Sequence, residues 1–472
     1  MAARPEAATP AAPAEPHPAG GWPAAWPQMA GRGWPKLPDG WPLRALYLGF
    51  PLWWLLGLSE IIFVLVAVPM AVQLFRRRPL RLPRGFGLWM LFLLCVVAGV
   101  FVLKASAPGS IQAEGGIGRI LTFGYRAAIY LAITVVLLYV GNLSEREFPT
   151  RRIARLLGYM FVLVVIGGLV GTLLPRIEFT SAIEYLLPDW LRSNSFVHVL
   201  VHPRTSEIQT VLGYAEARPV APFRYANAWG ANYSLLLPFF LMAWFGPGAG
   251  WRRLAAPIVL VASAIPVVYS LNRGLWAALA IGIVYVTVRL AMMGKVLAVY
   301  GLVAGLVMAG VLFVFSPLGT LAAERLDNPH SNERRSQLSS LTISSVVQGS
   351  PIIGYGTTRN VQGSFSSIAG GETAQCPGCG VPPLGTQGSF FGVAFFQGLA
   401  GLVLFLGFFL VQFFRHARER HPWAIAGCTI LVMFGLEMFV YDFNAAPYFT
   451  LMITIAVMWR IQQQRADAEE TA

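Results

Sequence analysis

The sequence predicts an all-α, polytopic integral membrane protein with eleven or twelve transmembrane helices and two long extracytoplasmic loops. Three observations carry that prediction. Hydrophobic residues fill 56% of the 472 positions and charged residues only 12%, with a mean hydropathy of +0.59; a soluble chain has roughly a quarter charged residues and under half apolar ones. Apolar runs of about 20 residues, long enough to cross a bilayer, recur along most of the chain. Arg and Lys crowd into alternate short loops. This balance excludes an ordinary cytosolic enzyme, a nucleic-acid-binding domain and a disordered chain. The 35 Lys and Arg against 22 Asp and Glu, a net charge of +13, then read as a topology signal, because basic residues are retained on the cytoplasmic side.

Residues 1–45 are rich in Ala and Pro and repeat the pairs Trp22-Pro23, Trp26-Pro27, Trp34-Pro35 and Trp41-Pro42. Proline removes a backbone donor and disfavours helix in the residue before it, so the segment reads as an extended or disordered tail. It contains no continuous apolar stretch of the signal-peptide kind. Apolar spans follow near 46–75, 86–103, 117–140, 153–174, 229–246, 254–270, 274–291, 296–316, 388–413, 423–440 and 446–460. Each approaches the length that crosses about 30 Å of hydrocarbon at about 1.5 Å per residue. The first contains Pro51 and Gly57 and reads as one kinked helix or two short ones, which leaves the count at eleven or twelve. Residues 46–460 thus make one membrane domain, and the polar residues 461–472 read as a frayed C-terminal tail.

Orientation follows from the short loops. Arg76, Arg77, Arg78, Arg81 and Arg84, then Arg146, Arg151, Arg152 and Arg155, then Arg252 and Arg253, Arg289 and Lys295, and Arg415, Arg418 and Arg420 all fall on one side. The positive-inside rule makes that side cytoplasmic. The other side receives the segments 175–228 and 317–387, and loops of that length are usually functional.

Outer arginines run against the rule just used. Arg224 lies in Phe223-Arg224-Tyr225-Ala226-Asn227-Ala228-Trp229-Gly230-Ala231-Asn232, just before a span, and Arg273 lies in the tight turn Ser270-Leu271-Asn272-Arg273-Gly274. Such residues either snorkel to lipid headgroups or hold a phosphate-bearing ligand, which the planar guanidinium suits better than lysine does. Arg176, Arg192, Arg204, Arg218 and Arg325 are also outside but have no flanking pattern. In the second loop, Pro329-His330-Ser331-Asn332-Glu333-Arg334-Arg335 leads into an amphipathic helix marked by Leu338, Leu341, Ile343, Val346 and Val347. Ser331 or Asn332 is its expected cap, and Gly349 with Pro351 its stop. Arginines in a first turn oppose the helix dipole by about 0.3–1 kcal/mol each, a conflict that either Glu333 answers in a solvated charge pair or a bound anion reverses. Periodicity does not choose between Arg334 and Arg335.

Ile353-Gly354-Tyr355-Gly356 is similar to a potassium-filter signature but stands too far from any span to line a pore. It reads instead as a turn that needs positive φ. Cys376-Pro377-Gly378-Cys379 has neither further zinc ligands nor a redox-fold context, and is expected to be a disulfide staple. His198 and His202 are spaced to share a helix face, but no third ligand is apparent, so no metal site is expected.

Together these patches resemble the O-antigen ligase / O-antigen polymerase superfamily of membrane glycosyltransferases, over most of residues 46–460 in layout and in four short motifs. The family's Arg-to-Asn element before a span is similar to Arg224 through Asn232. Its Ser-Arg-Gly is matched by Asn272-Arg273-Gly274, with Asn in place of Ser. Its outer Ser, Arg, helix and Pro-x-x-Gly-x-Gly are matched by Ser331, Arg335 or Arg334, Pro351, Gly354 and Gly356. Its Gly-Leu-x-Gly is matched by Gly398-Leu399-Ala400-Gly401. One departure stands out: Gln387-Gly388 occupies the usual His-Asn position, and glutamine takes no proton at neutral pH.

The resemblance implies a metal- and cofactor-independent, inverting glycosyltransferase of cell-surface polysaccharide assembly in a cell inner or plasma membrane. Its donor is a glycan on a polyprenyl pyrophosphate, and its acceptor is a hydroxyl of another lipid-linked glycan or of a surface lipid or protein. Arg224, Arg273 and Arg335 are expected to hold the pyrophosphate, with His330 as base unless leaving-group stabilisation alone suffices. Asn232, Asn272, Arg334, Arg359 and Gln387 are expected substrate contacts. The rival reading is a transporter or flippase of lipid-linked glycans, for which the charges inside spans, Glu60 and Glu437, are the residues to test.

Overall fold

The first apolar stretch breaks at its glycine. In the structure, a computed structural model that describes residues 38–77, 79–111, 116–209, 212, 214–327, 330–362 and 380–471, it forms α1 (Trp41–Leu48), α2 (Phe50–Leu55) and α3 (Ile62–Phe75). Gly57 takes φ 80° between α2 and α3. The chain continues through α4 (Phe86–Ala98), extended by a 3-10 turn over Gly99–Val102, then α5 (Ile117–Asn142) and α6 (Thr150–Leu173). A looped segment follows with α7 (Ala182–Leu186), α8 (Asp189–Arg192), α9 (Ser195–Val201) and the strands β1 (Ser206–Gln209) and β2 (Glu216–Pro219). The strands pair antiparallel, with Ser206 opposite Pro219. Next come α10 (Ala226–Phe245), α11 (Arg252–Tyr269), α12 (Arg273–Met292), α13 (Val296–Val314), α14 (Pro317–Asp327), α15 (His330–Gly349), α16 (Ser389–His416), α17 (Pro422–Glu437) and α18 (Ala445–Thr471). Among the described residues, α5, α6, α11, α12, α13 and α16 are long and apolar enough to cross a membrane. The chain is therefore a mostly helical, multi-pass membrane protein.

Two boundaries differ from the sequence reading. The N-terminal tail ends earlier than residue 45, because helix begins at Trp41 with Pro42 in its first turn, where a missing N–H is harmless. Residues 1–37 lie outside the described residues, as do Cys376 and Cys379. The C-terminal segment is helical: α18 continues to Thr471. Its polar end consists of good helix formers and is tied down by Arg81–Asp467 at 3.1 Å and Arg465–Glu419 at 3.5 Å.

The core is built by α3 to α6, α10 and α16 to α18. Trp89 stacks among Phe92, Phe405 and Phe408 and donates to Thr134 Oγ1 at 2.8 Å, so the buried indole N–H is satisfied. By contrast, α13 buries no residue at all. Apolar on every side, it is a helix whose solvent is lipid.

The loops gather into two sets. Arg77 bridges Asp39 at 3.1 Å and Glu147 at 2.8 Å, Arg460 bridges Glu145 at 2.9 Å, and Arg289 donates to Glu419 O at 2.7 Å. These bonds join the short arginine-rich loops. The long segments meet one another elsewhere, through Tyr214 to Glu324 at 3.2 Å, and the second of them reaches the turn between α11 and α12 through Arg325 to Leu271 O at 3.1 Å.

The two glycine motifs turn out to be one device. At Gly398 the helix α16 is interrupted (φ 69°, ψ −176°), which leaves carbonyls of the preceding turn without helical partners. The turn after α15 fills them: Tyr355 N donates to Phe395 O at 2.8 Å and Gly356 N to Phe396 O at 2.9 Å. In return, Leu399 N donates to Pro351 O at 2.7 Å. Gly354 and Gly356, both at φ 74°, make the turn that permits this approach.

A candidate anion site where the long segments meet

Asn272 is the joint of the site. Its Nδ2 donates to Ala226 O at 2.7 Å, fixing the start of α10, and its Oδ1 accepts from Arg218 Nη2 at 2.9 Å. Arg218, buried on β2, also donates from Nε to Ser270 O at 2.6 Å and from Nη1 to Gln209 Oε1 at 2.5 Å. The turn Ser270–Asn272 thus offers its carbonyls to arginines. The next one, on Leu271, receives Nε of Arg325 at 3.1 Å, although Leu271 itself is held at a φ of 51°. Positive φ on a leucine is strain of the kind that collects at functional sites. Arg273 opens α12 directly after this turn.

Arginines of four elements, Arg218 of β2, Arg273 of α12, Arg325 of α14 and Arg335 of α15, lie around this turn and the neighbouring Val440 carbonyl. Burial, reinforced by Arg273, Arg218 and Arg335, pushes the Arg325 guanidinium down to about 9. Burial pushes Arg218 down to about 10, with Arg335 adding to the effect and the buried Glu207 opposing it. Arg335 is lowered by burial and by Arg273, against Tyr441. It donates Nη1 to Val440 O at 3.1 Å, whereas Arg334 turns away to Gln337 Oε1 at 3.1 Å. Of the two, Arg335 is the one turned toward Val440 and the cavity beside it. Like charges held together in a partly dry place repel, and an anion placed among them converts the repulsion into binding.

Arg224 is paired elsewhere. Its Nε lies 3.4 Å from Glu60 Oε1, and its guanidinium lies 5.9 and 5.4 Å from the rings of Tyr125 and Tyr225. Tyr125 donates to the other Glu60 oxygen at 3.2 Å. This couple is fully buried, so Arg224→Ala strands the Glu60 carboxylate and is expected to cost about 3–5 kcal/mol. The Arg224→Ala/Glu60→Gln pair recovers much of it. Protein yield in membranes, compared between the single and double variants, checks this.

The remaining expected contacts are held inside the fold. Asn232 Nδ2 donates to Ala228 O at 2.9 Å in its own helix. Gln387 Oε1 accepts from Thr342 Oγ1 at 3.0 Å and Gly385 N at 3.2 Å, and its Nε2 donates to Pro383 O at 3.0 Å. Arg359 donates to six carbonyls, among them Leu103 and Tyr355 at 3.1 Å each, and organises the turn beside the α16 break. Of His330 only the backbone is described. The helix α15 begins there, so Ser331 and Asn332 lie within its first turn rather than before it. Leu338 and Val346 of α15 are buried as expected, but Thr342 and Ser345 share their face. Ile343 instead lines, with Arg335, Ser339, Phe391, Phe439 and Val440, a cavity of about 870 Å³ that opens beside the cluster.

Sequence reasoning missed two of the four arginines, Arg218 and Arg325, because nothing in their flanks distinguishes them. It also missed Glu184, which stands with His198 and His202 as a group of potential metal ligands. No family model, no curated protein and no solved structure matches the chain.

Proposed function

We propose that the protein is a membrane glycosyltransferase of the O-antigen ligase / polymerase type, which transfers a glycan from a polyprenyl-pyrophosphate donor to an acceptor hydroxyl at the extracytoplasmic face. The observation that carries this reading is geometric: Arg218 and Arg325 bond the successive carbonyls of Ser270 and Leu271, Arg273 follows that turn, and Arg335 bonds the carbonyl of Val440, whose side chain lies against Gly274. The acceptor oxygen attacks the anomeric carbon from the face opposite the pyrophosphate, and the glycosidic oxygen departs with the bonding electrons. The four guanidinium groups meet the charge that develops on that leaving group. The acceptor proton passes to a base, for which His330 is the candidate from the sequence, or to water. The cavity beside Arg335 is of a size for sugars or the first part of a lipid tail.

The proposed topology has twelve crossings, counting α1 with α2 as one. Gly40 N bonds Tyr139 Oη at 3.1 Å near the arginine-rich loops, and a Cβ on Gly57 would lie 2.4 Å from Val201 O in the first long segment. The arginine-rich loops then face the cytoplasm of an inner or plasma membrane.

Arg273→Ala in cells tests the reading. Loss of surface polymer at normal protein level is the expected result; build-up of lipid-linked units in the cytoplasmic leaflet supports a flippase instead, and unchanged polymer contradicts both. Glu437 gives a second check. Its Oε1 accepts from Ser234 Oγ at 2.7 Å between α10 and α17, a packing contact that an amide reproduces. Glu437→Gln is expected to leave polymer output unchanged, whereas a transporter that moves charge through this residue loses activity.

A further inference from the structure

We propose that Glu184, His198 and His202 form a divalent-metal site, suited to zinc, that clasps α7 to α9 in the first long segment. His198 Nδ1 lies 3.0 Å from Glu184 Oε1, and His202 Nδ1 lies 2.8 Å from Glu184 Oε2. The two imidazoles, one helical turn apart, stack with centroids at 4.6 Å and planes 30° apart. All three donor atoms lie within 4.8 Å of one another. Around a tetrahedral zinc with bonds near 2.0–2.1 Å, ligand atoms stand about 3.3 Å apart. Small side-chain rotations therefore place a metal among these atoms.

The donor chemistry selects the ion. Two imidazoles and a carboxylate suit zinc, whereas calcium and magnesium favour all-oxygen shells. Three protein ligands leave a fourth position for water. The Glu184 side chain is only 5% exposed and is held by the capping box: Ser181 N donates to its Oε2 at 3.4 Å, and Glu184 N donates to Ser181 Oγ at 3.1 Å. A ligating carboxylate oriented by a second hydrogen bond is characteristic of metal sites. His198 and His202, at 35% and 19% side-chain exposure, leave the ion a way in.

The position gives such a metal a consequence. Phe196 of α9 packs edge-on against Tyr125 at 5.6 Å, and Tyr125 donates to Glu60, the partner of Arg224. Fixing α9 to α7 therefore fixes the residue that covers the buried ion pair.

The test uses the full-length protein in detergent, stripped with chelator and titrated with Co²⁺ and Zn²⁺ at neutral pH. About one equivalent of Co²⁺ per chain, with the intense visible absorption of a four-coordinate centre that Zn²⁺ abolishes, is expected. His198→Ala, His202→Ala and Glu184→Gln each weaken binding at least tenfold, while Cys376→Ser/Cys379→Ser retains it. Absence of that absorption in the wild-type protein overturns the proposal without reference to any variant's folding. So does equal binding by wild type and the His198→Ala/His202→Ala double variant.

Discussion

Arg335→Ala is expected to lower the proposed release of lipid pyrophosphate by about 10²–10³-fold, the usual effect of removing one preorganised group from a developing charge. The unliganded variant accumulates and melts like wild type, because the change removes one cation from a set that repels itself. Its hydrogen bond to Val440 O is exchanged for water at small cost. Arg335→Lys falls between, since an ammonium keeps the charge but not the fork that grips two phosphate oxygens. Inorganic pyrophosphate raises the melting temperature of wild type by mass action and raises that of Arg335→Ala much less. Turnover measured beside thermal stability separates this outcome from the Arg224 case, where yield falls first.

Gly398→Ala, by contrast, removes the folded protein. A Cβ at this position would lie 2.1 Å from Ile352 O and 2.3 Å from Ile352 C, backbone atoms that cannot step aside without breaking the Leu399–Pro351 bond. The φ of 69° with ψ near 180° is a region open to glycine almost alone, which adds about 1–3 kcal/mol. A total beyond about 3 kcal/mol is expected, enough to empty the membrane of a marginally stable protein. Gly407→Ala in the same helix is the control: its Cβ would meet only Leu88 Cδ1, at 3.5 Å. Quantifying both variants by immunoblot of membrane fractions checks the contrast.

The parts of this architecture that depend on neighbours in sequence were legible. Apolar runs announced the helices, Gly57 announced the break in the first of them, and Gly349 ended α15 where expected. What depends on distant neighbours was not. Gly354 and Gly398 read as two separate motifs, yet they are the two faces of one lock, because backbone hydrogen bonding across about forty residues has no linear signature. Arg218 lies on a four-residue strand whose role is set by Ser270 and Asn272, and neither is near it in the chain. Arg224 carried the recognisable flank but spends its charge on Glu60, a residue that in sequence looked like an isolated acid in a span. Glu184 escaped notice because α7 and α9 are too short for periodicity to align it with His198 and His202.

In the proposed reaction, guanidinium groups from both long segments hold a diphosphate while its sugar departs. Purified full-length protein, given a glycan on a polyprenyl pyrophosphate together with an acceptor glycan, tests it most directly by the appearance of free polyprenyl pyrophosphate. Release matched one for one by elongated acceptor, and lost in Arg273→Ala and Arg335→Ala, is the expected result. Intact donor in the wild-type reaction, or equal release from the variants, contradicts it.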